Sequence, residues 1–471
     1  MWSDDLKMRF VRSVAGFVAA SVMLAGAWAE AGDPTKKLPQ QPGGEGSVAV
    51  DASKFDSLQA AIDQLPEGGG VVCLGPGRFE IDKPLLLKVG DVMIRGAGTS
   101  THIVNRNQKG EPALLIRPPT KEEAKGKTVK TLWRVQIADL RVTGNPKSGA
   151  GIYAKRIDEI LISRAAVEHN GGDGIVLDYC LEDARISDCL VNYNAKTGIN
   201  LLGCHDIVIS ANQFEENQDA LHCIDGYNLT MTGNAIDDHL GNGIVIEATY
   251  GSVVASNMIE ECNGHAIVLD RECYGDTISA NVIAHHQGEG VRLLNVRDIT
   301  ISANTFVLLA KAAVHVTAGA CQITITGNGF CRYPFDPTKR HKLDPTCGVE
   351  LDSTRDVTIT GNTFTGMQKT AVIARGEGNR RINITGNTVL NPSQGEPGKH
   401  PALHLENLTG SIVANNIITD DQKPAKMKQG IAFAGQCGSN VVTGNVVSGD
   451  PTGDLAVPGE KNQTGSNIVR P

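Results

Sequence analysis

The sequence predicts an all-β solenoid, a parallel β-helix of about a dozen coils, and three observations predict it. First, asparagine returns in near-identical phrases such as "IVISANQF" and "DITISANTF". Asn212, Asn234, Asn257, Asn281, Asn304 and Asn328 are spaced 22, 23, 24, 23 and 24 residues apart. Asn362, Asn387, Asn415 or Asn416, and Asn445 follow at longer intervals. Second, a small residue followed by an aliphatic one runs in step: Gly174-Ile175, Gly198-Ile199, Ala220-Leu221, Gly243-Ile244, Ala266-Ile267, Gly290-Val291 and Ala313-Val314. Further copies stand at Gly151, Gly348, Ala371, Ala402 and Gly430. Third, apolar residues alternate inside each unit, as in "GIVIE" and "ITITGN".

A period of 22 to 24 residues marks a solenoid. Alternation is the strand period, and Val, Ile and Thr are strand residues. A leucine-rich repeat would carry L-x-x-L-x-L and a helical half, and this chain has neither. Three short strands joined by turns then make one coil. About a dozen coils stacked at roughly 4.8 Å give a rod on the order of 60 Å. Composition agrees: 53 of 471 residues are Gly, aromatics are 4%, and the hydrophobic fraction of 41% supplies a core. The net charge of −8 argues against nucleic acid as a partner, because phosphate binding needs a basic face.

In chain order, residues 1–29 read as a cleaved signal peptide. Arg9 and Arg12 precede an apolar run from Val14 to about Ala25, and Ala27-Trp28-Ala29 supplies an A-x-A cleavage pattern. The run is short for a membrane span. The mature protein is expected to be secreted or periplasmic, beginning after Ala29, with no membrane insertion once the signal is removed. The acidic "WSDDL" ahead of Met8 makes Met8 an alternative start. Residues 30–50 form a Pro/Gly linker. Residues 51–69 hold an N-terminal capping helix. Asp56 is placed to cap it with Gln59 three residues on, and Leu58, Ala61, Ile62 and Leu65 form its apolar face. Such a cap is needed because a stack of coils otherwise ends in an open edge. The coils occupy 70–450, and 451–471 is a polar C-terminal tail.

The asparagines fall at the sharp bend between two strands of a coil. An Asn there tolerates the left-handed conformation of a bend, and its amide both donates and accepts, so stacked Asn side chains can satisfy one another. Their expected role is structural. The 11 cysteines are an odd count. Cys331 and Cys347 bracket an insertion, "CRYPFDPTKRHKLDPTC", and are the best candidate pair. Cys180 and Cys204 are one repeat apart, and most of the others are expected to be small buried apolar residues.

Three stretches together resemble the pectate-lyase-like superfamily of right-handed parallel β-helix proteins. They are "SLQAAIDQLPEGGGVVCLGPGRFEI" at 57–81, "VMIRGAG" at 92–98, and the "ISAN" and "ITGN" coils. The likeness covers roughly residues 51–450. It implies a right-handed coil, an Asn ladder between the second and third strands, and a substrate groove along the outer face of the first strand, here the "GIVIE" element. No catalytic residue carries over from the superfamily. The N-T-D, G-H-G and R-I-K set of its polygalacturonase-like hydrolases is absent, as are the D-P-H-D of mannuronan epimerases and the Arg-x-Pro-x-x-Arg of typical pectate lyases.

Candidate chemistry therefore comes from register. With the Ile residues of "GIVIE" inward, the second and fourth residues after Gly face out. The nearer outward column reads Val176, Asn200, His222, Val245, Val268, Arg292, His315. The further one reads Asp178, Leu202, Ile224, Glu247, Asp270, Leu294, Thr317. Glu247 and Asp270 fall one coil apart, roughly 5 Å, with Arg292 and His315 beyond them. These four are the candidate catalytic residues. The two carboxylates are also the candidate metal ligands, with Ca²⁺ the cation suited to oxygen donors. Arg292 is expected to lower the His315 pKa and so favour the neutral imidazole, a base for removing a proton α to a carboxylate.

Third loops carry "EEN", "DDH", "EEC" and "HH", and eight of the twelve histidines lie between His169 and His315. Candidate substrate-binding residues are His222, Asp178, Asp238, His239, Arg271, His285 and, from the insertion, Tyr333. Phe335 stands with Tyr333 as a second ring that could stack on a sugar.

The leading reading is an exported enzyme acting on uronate-containing glycans by β-elimination or C5 epimerisation. Glycoside hydrolysis is the nearest rival, since about 5 to 5.5 Å between carboxylates suits a retaining mechanism. A non-catalytic β-helix that binds glycan or protein is a different class. A third resembles the periplasmic copper-delivery β-helix proteins associated with nitrous oxide reductase, against which stands the low Met count of eight, since Cu(I) favours thioether ligands.

Overall fold

The computed structural model describes residues 48–331, 347–453 and 455–471. The signal-peptide segment, most of the linker, and the insertion with Tyr333 and Phe335 lie outside the described residues. One coil shows the plan. Strands Ile244–Glu247, Val253–Ala255 and Met258–Glu260 are joined by bends, and the next coil repeats them in register. The first strands of successive coils form a parallel sheet of 14 strands, from Leu85–Leu87 to Ile431–Ala434. Second and third strands merge into a 32-stranded sheet. Second strands run in an unbroken ladder from Val48–Asp51 to Gln463–Gly465, about 17 coils. The expectation of a dozen was short because coils at both ends lack the Asn phrase or are stretched by loops. At the strand spacing, the rod is roughly 80 Å long.

The alternation does what the pattern requires. In Ile244–Glu247 the two Ile are fully buried while Val245 and Glu247 reach solvent. Inward residues of neighbouring coils stack on like residues, and Phe306, Phe330 and Phe364 lie ring on ring at 5.0 and 4.5 Å. Each buried aliphatic or aromatic side chain contributes about 1.5–3 kcal/mol. The small residue that opens each first strand is a packing demand. A Cβ on Gly243 would lie 2.6 Å from the Ala266 carbonyl oxygen of the next coil.

The Asn ladder runs from Asn212 to Asn467, with Asn416 rather than Asn415 as its member. At Asn281 its logic is complete. Oδ1 accepts from both the backbone N–H and Nδ2 of Asn257, each at 3.0 Å. Nδ2 donates to Val254 O at 2.9 Å and to Asn304 Oδ1 at 3.0 Å. One expectation is corrected. The left-handed residue of the bend is the one before the Asn: Ala211, Gly233, Ser256, Ala280, Ala303 and Gly327 have φ of +55 to +66°. That explains why the phrase alternates "SAN" and "TGN": the small residue takes the strained φ, and the Asn is kept for its amide.

The capping helix spans Leu58–Ile62 and buries Leu58, Ala61 and Ile62. Its N-cap is Ser57, whose hydroxyl accepts from Ala60 N–H at 3.1 Å, and not Asp56. Gln59 instead closes the sheet edge, with its side chain accepting from Leu86 N–H at 2.7 Å and donating to Leu86 O at 3.0 Å. At the other end, residues expected as a polar tail carry strands Gln463–Gly465 and Ile468–Arg470, paired on Val441–Thr443 and Val446–Ser448. Cys180, Cys189, Cys204, Cys223, Cys262 and Cys273 are buried thiols. Among the described residues no helix is long and apolar enough to cross a membrane.

Candidate functional site

The outward columns stack in the register the period implies. Val176, Asn200, His222, Val245, Val268, Arg292 and His315 pair in succession, and the column continues through Glu350, Ile373 and His404 to Ala432. Asp178, Leu202, Ile224, Glu247 and Asp270 pair likewise. Within these columns the expected quartet divides into two stations.

The first station centres on Glu247. Its carboxylate is held between His222 Nε2 at 3.0 Å and Arg271 Nε at 3.1 Å. Asp270, one coil on, accepts from the Arg271 backbone N–H at 2.6 Å. Arg271 supplies the positive charge beside Glu247 that the sequence reading assigned to Ca²⁺. Arg292 does not join this station.

The second station contains Arg292 and His315 together with two residues that sequence reasoning missed, His265 and Glu289. Both stand one position before the small–aliphatic marker, at the bend that feeds the first strand. That position forms its own ladder, in which a side chain accepts the backbone N–H of the next coil. Asp173 accepts from Thr197, Asp219 from Asn242, Asn242 from His265, and His265 Nδ1 from Glu289 at 3.0 Å. The signal was available: the residue before the marker is polar from Asp173 to Glu289.

His265 Nδ1 faces the Glu289 backbone N–H at 3.0 Å and the Glu289 carboxylate at 3.4 Å, and its Nε2 faces Arg292 Nη1 at 3.3 Å. Glu289 is almost buried. Its Oε1 receives His315 Nδ1 at 2.7 Å, and its Oε2 faces Arg292 Nε at 3.6 Å. His315 Nε2 is buried without a hydrogen-bond partner. Burial alone would lower the His315 pKa, but the hydrogen bond and charge of Glu289, with the charge of Glu350, raise it on balance. Arg292 does lower it, as expected, but Glu289 and Glu350 outweigh it, so the expected net preference for the neutral imidazole is corrected. Burial lowers the pKa of His265. Burial opposes ionisation of Glu289, yet His315, His265 and Arg292 together bring its pKa below the usual value.

The remaining candidates lie elsewhere. Asp178 sits three coils before Glu247, tied to Tyr153 Oη at 2.6 Å and Lys155 Nζ at 2.8 Å. Asp238 and His285 occupy left-handed positions at the third bend. His285 Nδ1 contacts Glu260 at 2.7 Å and Glu261 at 3.8 Å, and one ligand atom from each of the three lies within 4.8 Å of the others.

His239, expected among the substrate-binding residues, is fully buried and belongs to a second internal ladder. Asn170, Asn194, Asn217, His239, Cys262 and His286 stack at the third bend. There a neutral imidazole replaces the carboxamide. His286 Nδ1 accepts from Cys262 N–H at 3.2 Å and Nε2 donates to Ile259 O at 3.1 Å, as Asn194 Nδ2 donates to Val167 O. Burial pushes both His239 and His286 down to about 4.

A search of curated proteins finds no match. Among solved structures, a tailspike protein mutant of E. coli bacteriophage HK620 in complex with a pentasaccharide aligns with a TM-score of 0.53 at 12% identity, covering 86% of this chain and 74% of that one. The Azotobacter vinelandii mannuronan C-5 epimerase AlgE6 A-module aligns at 16% identity over 90% of this chain and 99% of that one, with a TM-score of 0.47. The catalytic unit of a GH87 α-1,3-glucanase from Streptomyces thermodiastaticus aligns at 16% identity over 85% and 69%, with a TM-score of 0.46. The family model described as a right handed beta helix region matches residues 128–251, 182–330 and 347–453, well over half of the chain. With its parallel coils, continuous Asn ladder and that match, the chain belongs to the right-handed β-helix family.

Proposed function

We propose that the chain is an exported enzyme that acts on uronate-containing glycans by removing the proton α to the sugar carboxylate. The observation that carries this reading is the Glu289–His315 pair, with His315 Nε2 buried and unpartnered one coil from Arg292. A sugar carboxylate is the ligand group that pairs with the Arg292 guanidinium. Neutralised there, it acidifies the adjacent C5–H. His315 Nε2 takes that proton while Glu289 orients the ring and stabilises the imidazolium that forms. In β-elimination the C5–H electron pair becomes the C4–C5 double bond and the C4–O bond breaks, with the leaving oxygen collecting a proton. In C5 epimerisation a proton returns to the opposite face. A tailspike of the same architecture is described with a bound pentasaccharide, which accords with a sugar chain lying along such a rod.

In this reading the positive charge beside Glu247 comes from Arg271, with His222 on its other side, and no step draws on the Ca²⁺ expected between Glu247 and Asp270. The test is incubation with alginate and pectate, following ultraviolet absorbance for an unsaturated product and, in D₂O, deuterium entry at C5. The expected result is one of these signals, cut at least a hundredfold by His315→Ala. Reducing ends released without absorbance would establish hydrolysis instead, and glycan retention with no product would establish a binder.

A further inference from the structure

Two polar residues interrupt an apolar column inside the rod. The residue that leads into the second strand belongs to the core: Ile207, Leu229 and Ile299 hold that position in their coils, and all three are buried. Between them the same column carries Ser252 and Asp276, which are buried as well. Asp276 Oδ1 accepts the Ser252 backbone N–H at 2.7 Å. Asp276 Oδ2 and Ser252 Oγ are buried without a hydrogen-bond partner among the described residues. The next coil offers Ile299 at that position, which can supply none.

A rung built the same way farther along the rod shows what is missing. There Ser411 and Asn440 hold the positions of Ser252 and Asp276. Asn440 Oδ1 accepts the Ser411 N–H at 3.0 Å, and its Nδ2 donates at 2.7 Å to the carbonyl of Leu408. Leu408 opens "LTGSIV", and Thr249 opens the matching "TYGSVV". An amide presents one acceptor and one donor to such a rung. A carboxylic acid does the same once Oδ2 carries a proton, whereas a carboxylate has only acceptors. Burial pushes the Asp276 pKa up to about 7, against the Ser252 N–H and hydroxyl, which favour the ionised form. The titratable groups that face it are Cys223 and Cys273, thiols that burial pushes up to about 12 and so keeps uncharged. Among the described residues no cation offsets a charge at Asp276.

We infer that Asp276 is a proton-operated latch: protonated, it ties the bend from Arg271 to Asp276 onto the coil before it, and loss of that proton to solvent loosens the bend. The bend holds backbone strain to release, since Arg271 and Glu272 are both left-handed, with φ of +54 and +66°. It also carries Arg271, whose Nε lies 3.1 Å from Glu247 on the outer face. A proton inside the rod is thereby coupled to a cation on its surface, whichever sugar that surface binds. The sign follows from an acid whose folded pKa is raised. Its contribution is whole below the ordinary value of 3.8 and is lost as pH rises toward about 7.

The experiment is hydrogen–deuterium exchange of the full chain, read by mass spectrometry over the bend and expressed as protection relative to the free peptide. From about pH 5 to about pH 8 the parent is expected to lose roughly a hundredfold in protection at this bend, the ratio that the two pKa values set. The bend at Asn440, which carries no acid in the rung, is the reference and should not change. Asp276→Asn, which copies that rung, should hold its protection at both ends of the range, and its urea midpoint should exceed the parent's by more at the alkaline end than at the acid end. Equal protection of the parent bend at both ends overturns the latch. A fall that survives in Asp276→Asn assigns the titration to another group and overturns it as well. Should that variant fail to fold, infrared difference spectra of the parent decide. A protonated-carboxyl band that disappears over the range in which the bend opens supports the latch, and the absence of such a band overturns it.

Discussion

Two pairs of histidine on this rod belong to the same repeating coils and behave in opposite ways. His239 and His286 sit inside the third bend, where each imidazole replaces an amide, is held neutral by burial, and touches only backbone and ladder neighbours. His265 stands at the bend that feeds the first strand, against a backbone N–H, and His315 on the outer face of that strand's sheet, where Glu289 draws it toward its charged form. Period alone therefore assigns no role to a polar residue. What decides is whether the next coil offers it the same polar partner, as in a ladder, or a different one, as in a site.

The largest effect expected on this comparison is inside a ladder. Asn281→Leu takes the acceptor of the Asn257 backbone N–H, one of the acceptors of the Asn257 amide, and the side-chain donor to Val254 O and Asn304 Oδ1, a loss on the order of 3–5 kcal/mol. Urea unfolding measures it, and a loss below about 1 kcal/mol would show that water repairs the ladder. The second effect separates the two pairs by pH. His239 and His286 are neutral in the fold where an unfolded chain would protonate them. The stability they carry is complete above about pH 6.5 and drains as pH falls toward 4, on the order of 3 kcal/mol for each. His315 has the opposite sign. Its contribution is complete below pH 6.5 and is lost as pH rises through its raised pKa. Replacing His239 and His286 together by Asn, the residue that fills the same rung at Asn194 and Asn217, should flatten the acid side of the stability–pH curve. The side above pH 6.5 should stay as it is. An unchanged acid side would mean that the ladder histidines are not the groups that titrate. The smallest effect is at the first station. Arg271→Ala removes a half-exposed ion pair and should shift stability by about 0.5 kcal/mol or less; a larger shift would show that Glu247 depends on that cation.

The outward first-strand columns were legible because a strict strand alternation and a period near 23 residues suffice to place Asp270 above Glu247 and His315 above Arg292. Contact was not legible. Arg292 was grouped with Glu247 and Asp270, but its long guanidinium reaches back to Glu289, just before its own strand, instead. Glu289 and His265 were missed since they precede the strand, where alternation no longer reports which way a side chain points. His239 was misplaced for a related reason. It lies in a bend, and its burial is announced only by stepping through Asn170, Asn194 and Asn217, whose spacing of 24 and 23 residues continues at 22 to reach it. The left-handed residue before each ladder Asn was visible in the phrase itself, which keeps Ala, Gly or Ser there except before Asn416, where Asn415 takes the position.

The stacking of near-equivalent coils has one further consequence. Each coil touches only the coils beside it, so the rod is a ruler graduated in steps of roughly 4.8 Å. Adding or deleting one whole coil between Glu350 and His404 would lengthen or shorten the interval between the two ends of the face by a single graduation, with every other side chain left against its own neighbours. Evolution can thereby retune the length of such a face without redesigning a single contact.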